Sequence, residues 1–460
     1  MQQLDFNLLT IRDMVWGIPL LALLLGTGVF LTFILKGVQF RYLWFAIKQV
    51  FAKEGETAQG DISHFEALMT SLAGAIGTGT IVGVSTGIAI GGMGSLFWMW
   101  VTALVGMATK YAESLLAVKY RQMDDRGEMI GGPMQYIEQG LGWKWMAVIF
   151  AFLGCIAAIG TGNLVQVNSI SDALQTFYHA NPWVNGVIIS VLTGLVILGG
   201  IRSIGQVAGV LVPIMATFYI GIGLVIVIMN YEKIPAAFAL IFNSAFNGQA
   251  AAGGFLGASV MAALQTGVSR SVFSNEAGLG ISTIAAAAAK TDSPARQGMV
   301  IMTGGLLSTV IVCTITGLVL AVTGVQGKID ENGEVLNGVT MAIQAFNTSI
   351  YGGDYVVATG LILFAFSTVI AWAYYGEKCC EYIFGSRSVM PYRIIYTLLV
   401  IPGSALKVEV VWLLAETMNG LMAIPNLIAL IALSGVVVAE TNLFINLFKK
   451  EKNSLPVVES

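Results

Sequence analysis

The stretch "GAIGTGTIVG", Gly74 to Gly83, lies inside an apolar run where a membrane helix would otherwise be continuous. Glycine costs roughly 1 kcal/mol relative to alanine in a helix interior. Three glycines nevertheless crowd together at Gly74, Gly77 and Gly79, with Thr78 and Thr80 among them. Either this segment packs tightly against a neighbouring helix through its small residues, or the helix is meant to break here. The two readings lead to different proteins.

The surrounding composition narrows the choice. The 460-residue chain is 56% hydrophobic and 11% charged, whereas a soluble domain carries about 25% charged residues. Apolar runs of about 18 or more residues, long enough for a bilayer core, recur along it. The chain therefore reads as an all-α, polytopic membrane protein. The short alternating segments of a membrane β-barrel are missing. A net charge of −3 argues against nucleic acid, which calls for a basic face. Cys155, Cys313, Cys379 and Cys380 show no metal-ligand spacing and read as inert core thiols. With only His64 and His179, no nucleophilic or His-cluster catalytic set can be assembled. No basic n-region precedes the first span, so it is expected to be retained.

Spans are predicted near 14–36, 64–91, 94–118, 144–168, 184–200, 207–229, 251–281, 298–325, 353–377, 393–406 and 424–447, about 11 transmembrane helices. The stretch 409–421 reads as a short helical segment leading into the last of them. One side of the membrane receives Lys36, Arg41, Lys48, Lys53, Lys119, Arg121, Arg126, Arg202, Lys290, Arg296, Lys378, Arg387, Arg393, Lys449, Lys450 and Lys452. The other receives only Arg12, Lys233, Lys328 and Lys407. The positive-inside rule then puts the N-terminus outside, and a short C-terminal tail at 449–460 in the cytoplasm, of a cell membrane. Loops such as "KQVFAKEGETAQGD" leave no space for a nucleotide-binding domain, which disfavours an ATP-driven pump.

A second irregular run, "LQTGVSRSVFSNEAGLG" (Leu264 to Gly280), places Gln265, Thr266, Ser269, Arg270, Ser274, Asn275 and Glu276 at membrane depth. Such polarity is tolerated only against protein or a water-lined cavity, and ionisable groups there point to function or pairing. With 14–36 set aside as an additional N-terminal span, the two irregular helices each open a set of five spans, at 64–229 and 251–447. Five is odd, so the second set crosses in the opposite sense. Interrupted helices at matching places in an inverted repeat are the sequence pointer to a transporter binding site. A half-helix beginning near Thr78 presents free N–H groups and a partial positive charge suited to a carboxylate. The preceding half-helix ends near Ala73 to Ile76 in free carbonyls, which suit Na⁺ or an ammonium group.

At this point the residues resemble the alanine or glycine:cation symporter family, which are sodium-coupled amino acid transporters. The motifs carrying the resemblance are "GAIGTGTIVGV", "GGPMQYIEQGLG", "GTGNLVQVNSI", "SNEAGLG" and "FAFSTVIAWAYYGE", in order from residue 74 to 377. The family implies a LeuT-like 5+5 inverted repeat with one additional N-terminal span. It also implies a substrate carboxylate held by the backbone N–H groups of Thr78 and Gly79. The ammonium would meet carbonyls near Ala75 and the second break around Gln265 and Thr266. Gln166 and Asn168 offer amides that both donate and accept, although an interhelical hydrogen bond would explain them equally well. For Na⁺, the resemblance implies the hydroxyls of Ser367 and Thr368 with the carbonyls of Ala73 and Ile76, an oxygen-only set for a hard cation.

Phe273 and Trp372 are candidate walls for a small substrate, whereas Trp98, Trp100, Trp143 and Trp145 read as interfacial belt. Lys110 and Glu113, three apart on one helix, suggest a local ion pair, and Glu377 marks a cytoplasmic edge near Lys378. Arg270 and Glu276 either pair as a cytoplasmic gate, or Arg270 steadies the unwound backbone. The expected function is a symporter, not an enzyme, moving a small neutral amino acid (alanine or glycine) inward with Na⁺ by alternating access. Beyond Na⁺ as coupling ion, no cofactor is expected; nor is nucleic acid or an obligate protein partner. Proton coupling through Glu276 or Glu113 is the nearest alternative. An ion channel lacks a filter repeat or gating charges to support it.

Overall fold

The computed structural model describes residues 2–52, 58–247, 260–329, 333–406 and 409–454. The start of the span expected at 251, residues Lys53 and Lys407, part of the 325–353 loop and the tail beyond 454 lie outside the described residues. Among the described residues the chain is helical apart from loops, a few isolated bridges and one hairpin, Gln122–Met123 paired with Met129–Ile130.

Among the described residues seven helices are long and apolar enough to cross a membrane: Leu9–Ile34, Gly94–Lys119, Lys144–Tyr178, Gly200–Met229, Pro294–Thr323, Gly353–Phe384 and Val411–Ala432. Shorter apolar helices cover Val82–Gly91, Pro182–Ile197 and Ser434–Phe448. The expected total of eleven would have to draw on these and on the broken helices. Centrality separates the long ones. The most apolar window of Gly94–Lys119 is 83% buried in protein, against 33% for Gly200–Met229, so the first is a core element and the second a peripheral, lipid-facing one.

The elements that matter below are α1 (Gln2–Val15), α2 (His64–Ala75), α3 (Val82–Gly91), α4 (Gly94–Lys119), α5 (Val165–Tyr178), α6 (Val260–Asn275), α7 (Thr283–Ala287), α8 (Gly353–Phe384) and α9 (Glu409–Ala432). Helix α2 starts on a capping box. The Ser63 hydroxyl accepts from Glu66 N–H while the Glu66 carboxylate takes the Ser63 N–H at 2.8 Å, so two otherwise orphaned donors are satisfied. The helix stops at Ile76, a 3₁₀ turn over Thr78–Thr80 follows, and α3 resumes at Val82. The glycine-rich stretch is a break.

The second break falls later than the sequence suggested. Helix α6 runs through Gln265 and Thr266 without interruption and ends at Asn275. The polar side chain of Thr266 is absorbed locally, donating to Ala262 O at 2.6 Å and lying 2.8 Å from Ser95 Oγ. The backbone turns only at Glu276, Gly278 and Gly280, with φ of +57°, +91° and +75°. Left-handed angles suit glycine and cannot continue a helix, so the interruption is "EAGLGIS" and α7 is its second half. The last part of the chain also differs from expectation. Helix α9 is one element through Pro425, followed by Ser434–Ser454, in place of a short segment and a span at 424–447. Its polar Glu416, Asn419 and Asn426 face protein, which dilutes the apolar run that marks a lipid-facing helix.

The ends of the two broken helices meet. Isolated bridges join Gln59 to Thr291 and Ile62 to Ala289. The Arg121 guanidinium donates to the carbonyls of Ala287, Ala289, Gln59 and Thr291 at 2.7–3.2 Å. One cation thereby ties the chain entering α2 to the chain leaving α7.

Candidate functional site

Both breaks open on one cavity. It is lined by Gly74, Ala75, Gly77 and Gly79 from the first break, Glu276 and Leu279 from the second, and Phe273 from the end of α6. Thr161, Gln166, Thr368, Trp372 and Asn419 complete the wall. Its volume is ≈ 10 Å³, about the room of one water molecule, so the wall must move to admit even a small amino acid.

The first break is held in shape from α8. Ser367 Oγ and Thr368 Oγ1 both donate to Ala73 O, at 3.2 and 3.0 Å, while Trp372 Nε1 donates to Gly74 O at 3.3 Å. These carbonyls are among those α2 leaves unpaired where it stops. The expected Na⁺ set of Ala73, Ser367 and Thr368 is thus contiguous, and Ile76 follows three residues along the same strand of backbone. Thr78 N–H donates to Gln166 Oε1 at 3.3 Å, a long bond from the N-terminal end of the second half-helix. The Thr78 hydroxyl is buried, with no hydrogen-bond partner among the described residues. Gly77 is required sterically: a Cβ there would strike Thr368 Oγ1 and lie 3.2 Å from Gln166 Oε1.

Phe273 forms the partition on one side. It lines the small cavity and also a second cavity of ≈ 190 Å³ bounded by Gly79, Val82, Gly83, Thr86, Arg270, Trp412 and Glu416. Its ring stacks on Trp412, centroids 6.3 Å apart and planes 18° from parallel. Above that stack Arg270 Nη1 lies 3.0 Å from Glu416 Oε1.

Several sequence expectations are corrected here. Arg270 pairs with Glu416 rather than with Glu276, because it points from α6 toward α9 while Glu276 sits beyond the helix end in the cavity wall. This pair lies on the α3 side of the cavity, the side opposite the Arg121 staple, so it is not a cytoplasmic gate in the predicted orientation. Gln265 and Thr266 do not reach the cavity. Asn168 donates to Leu406 O at 2.9 Å and lines a different, larger cavity. Gln166, two residues earlier, faces the site because it is rotated about 200° around α5 relative to Asn168. Lys110 and Glu113 do not pair. Lys110 Nζ reaches Ser71 Oγ at 3.4 Å, and Glu113 Oε1 accepts from Gly278 N–H and Asn426 Nδ2 at 3.0 and 2.6 Å. Glu113 therefore braces the second break. Glu377, expected at a cytoplasmic edge near Lys378, is buried in a two-pronged ion pair with Arg393, at 2.6 and 2.9 Å.

The sequence reading missed Thr161, Asn419, Trp412 and Glu416. The last three lie on α9, whose stretch 409–421 reads in the sequence as a short segment leading into the last span. Their spacing, 412, 416 and 419, is that of one helix face, the signal that could have found them.

A membrane protein whose two broken helices enclose one small cavity is a secondary transporter in architecture. The solved structures agree on the fold. That of MhsT in complex with L-phenylalanine superposes with a TM-score of 0.57 at 15% identity, over 84% of this chain and 99% of that one. A manganese transporter from Eremococcus coleocola gives 0.51 at 15% identity, over 84% and 80%. The fold is LeuT-like. Residues 1–459 match the sodium:alanine symporter family, and the chain belongs to that family. It is 51% identical to the sodium/alanine symporter AgcS of Methanococcus maripaludis over 96% of this chain and 97% of that one. It is 36% identical to the probable sodium/glutamine symporter GlnT of Bacillus subtilis, over 95% and 90%. The protein is accordingly a transporter embedded in a membrane, and not an enzyme.

Proposed function

We propose that this protein carries a small neutral amino acid, alanine or glycine, into the cell together with Na⁺ by alternating access. The observation that carries the reading is the convergence of the Ser367 and Thr368 hydroxyls on Ala73 O beside the glycine-lined break. Hydroxyl and carbonyl oxygens suit Na⁺, and a cation seated there would lie one or two residues from the cavity. The backbone N–H groups of Thr78 and Gly79 then take the substrate carboxylate, with Gln166 Oε1 yielding its bond to Thr78. The cavity must widen for any amino acid, and the bulk of Phe273 and Trp372 in its wall then limits the side chain it can take. The name of the 51% identical relative supports the same substrate and ion. We place the N-terminus outside and the C-terminus in the cytoplasm on the strength of the basic-residue asymmetry. The Arg270–Glu416 pair then closes the outer path and the Arg121 staple the inner one.

The test is uptake of labelled alanine into proteoliposomes under an inward Na⁺ gradient. Accumulation well above the equilibrium level is expected, and it should vanish when K⁺ replaces Na⁺. Uptake that persists in K⁺ sinks the symport claim, and uptake driven by a pH gradient in Na⁺-free medium selects proton coupling instead.

A further inference from the structure

Asn419 stands in the cavity wall opposite the first break, on a helix that neither the motifs nor the two interruptions pointed to. It is 1% exposed. Its Nδ2 donates to Thr161 Oγ1 at 3.0 Å, which fixes the amide plane. Its Oδ1 has no hydrogen-bond partner among the described residues. A buried carbonyl oxygen without a donor is unfavourable, and on a cavity wall it is an acceptor presented to whatever enters. The neighbouring bonds lead to the break itself. Thr161 O accepts from Gln166 Nε2 at 3.1 Å, and Gln166 Oε1 accepts from Thr78 N–H at 3.3 Å. The wall thus runs from an acceptor end at Asn419 to a donor end at Thr78 and Gly79, the polarity of a zwitterion laid across the site.

We infer that Asn419 is a specificity-determining residue, its Oδ1 receiving a hydrogen bond from the ammonium group of the bound amino acid. This rests on the small-amino-acid reading above and extends it by assigning the amine contact to α9. It also gives α9 a double duty. Trp412, Glu416 and Asn419 follow one helix face, so the helix bearing the Arg270–Glu416 closure also touches the substrate. Substrate bound at Asn419 holds α9 against the cavity, the position in which Glu416 reaches Arg270 and Trp412 stacks on Phe273. Occupancy and closure are then linked through one rigid element rather than through a loop.

The experiment is alanine and Na⁺ binding to the purified full-length protein, wild type beside Asn419→Leu and Asn419→Asp. Hydrogen bonds to charged groups are among the stronger ones, so Asn419→Leu should weaken alanine binding roughly 10- to 100-fold. Na⁺ affinity measured without amino acid should stay within about twofold, since the hydrogen bond of Asn419 runs to Thr161 and not to Ala73, Ser367 or Thr368. Asn419→Asp keeps the acceptor and should recover most of the alanine affinity. Unchanged alanine affinity in Asn419→Leu overturns the inference while leaving the transport reading intact. So does a parallel loss of Na⁺ affinity, which marks a structural role, or a loss in Asn419→Asp as deep as in Asn419→Leu. If the wild type itself binds no alanine or glycine, the functional reading fails first and the inference falls with it.

Discussion

Arg270 and Glu416 face each other at 3.0 Å across the entrance to the cavity, and Arg12 from the N-terminal helix α1 reaches the other carboxylate oxygen at 3.7 Å. Trp16 Nε1 also donates to Glu416 O at 2.9 Å, so the additional N-terminal segment is fastened to the same turn of α9. Both partners of the main pair are mostly shielded, with side-chain exposures of 14% and 12%. Breaking one side of a shielded pair leaves an uncompensated charge. Glu416→Gln should lower alanine uptake by at least about tenfold, and the charge swap Arg270→Glu with Glu416→Arg should regain part of it. Uptake by the swapped variant no better than the product of the two single losses would show that the pair does not act as a unit.

The two glycines of the break differ in what surrounds them. A methyl at Gly77 runs into Thr368 Oγ1, a hydroxyl committed to Ala73 O, whereas a methyl at Gly79 meets the edge of Phe273 at 3.1 Å. An aromatic ring can shift by a few tenths of an ångström more readily than a hydroxyl held between two carbonyls. Gly77→Ala should therefore abolish Na⁺-dependent uptake, and Gly79→Ala should reduce it less. Equal loss, measured as initial rates at saturating Na⁺, would mean that Thr368 is free to move.

Arg393 and Glu377 make another shielded pair, with side-chain exposures of 8% and 2%. Removing one partner of such a pair typically costs about 3–5 kcal/mol. Arg393→Met alone should sharply lower the melting temperature in detergent, and adding Glu377→Leu should restore much of it. A double variant as unstable as the single one would show that packing around the guanidinium, rather than charge, matters there.

Asp61 lies in the link before α2, with Oδ2 accepting Met129 N–H at 2.8 Å. Burial pushes its carboxyl above the usual range, outweighing the Met129 hydrogen bond and the attraction of Arg202 and Lys378. A raised folded-state value means that the folded protein prefers the protonated form. Ionised Asp61 therefore costs stability at neutral pH, and the penalty shrinks as pH falls through that raised value and is gone below the ordinary carboxyl value of the unfolded chain. Asp61→Asn, which keeps an acceptor for Met129, should melt slightly higher than wild type at pH 7, with the difference shrinking toward acid. A difference that grows toward acid would reverse the assigned direction.

Much of this was legible in the sequence because bilayer physics writes itself into composition. Long apolar runs give the membrane class, and glycines crowded at Gly74, Gly77 and Gly79 mark a place where a helix gains nothing by continuing. Thr78, Gly79, Gln166 and Thr368 are nameable because their motifs resemble a family, and Phe273 and Trp372 because a small substrate calls for bulky walls. The second break was harder. Polarity at Gln265 and Thr266 imitates an interruption, yet each side chain can be satisfied inside a regular helix, as Thr266 is by Ala262 O. The true break is set by backbone angles at Glu276, Gly278 and Gly280, which side-chain polarity does not report.

The sequence by itself determined the class of protein, the first interruption and the chemistry available beside it, since these follow from local hydrophobicity and from residues close along the chain. Only the tertiary structure decided which distant groups meet. It brought Ser367 and Thr368 to Ala73, turned Arg270 to Glu416 rather than Glu276, sent Asn168 away from the cavity, and set Asn419 into its wall. Each of these pairings joins helices far apart in sequence. In a membrane such helices are placed by packing and by the need to satisfy every buried polar atom, and that placement is a property of the whole assembly rather than of any stretch within it.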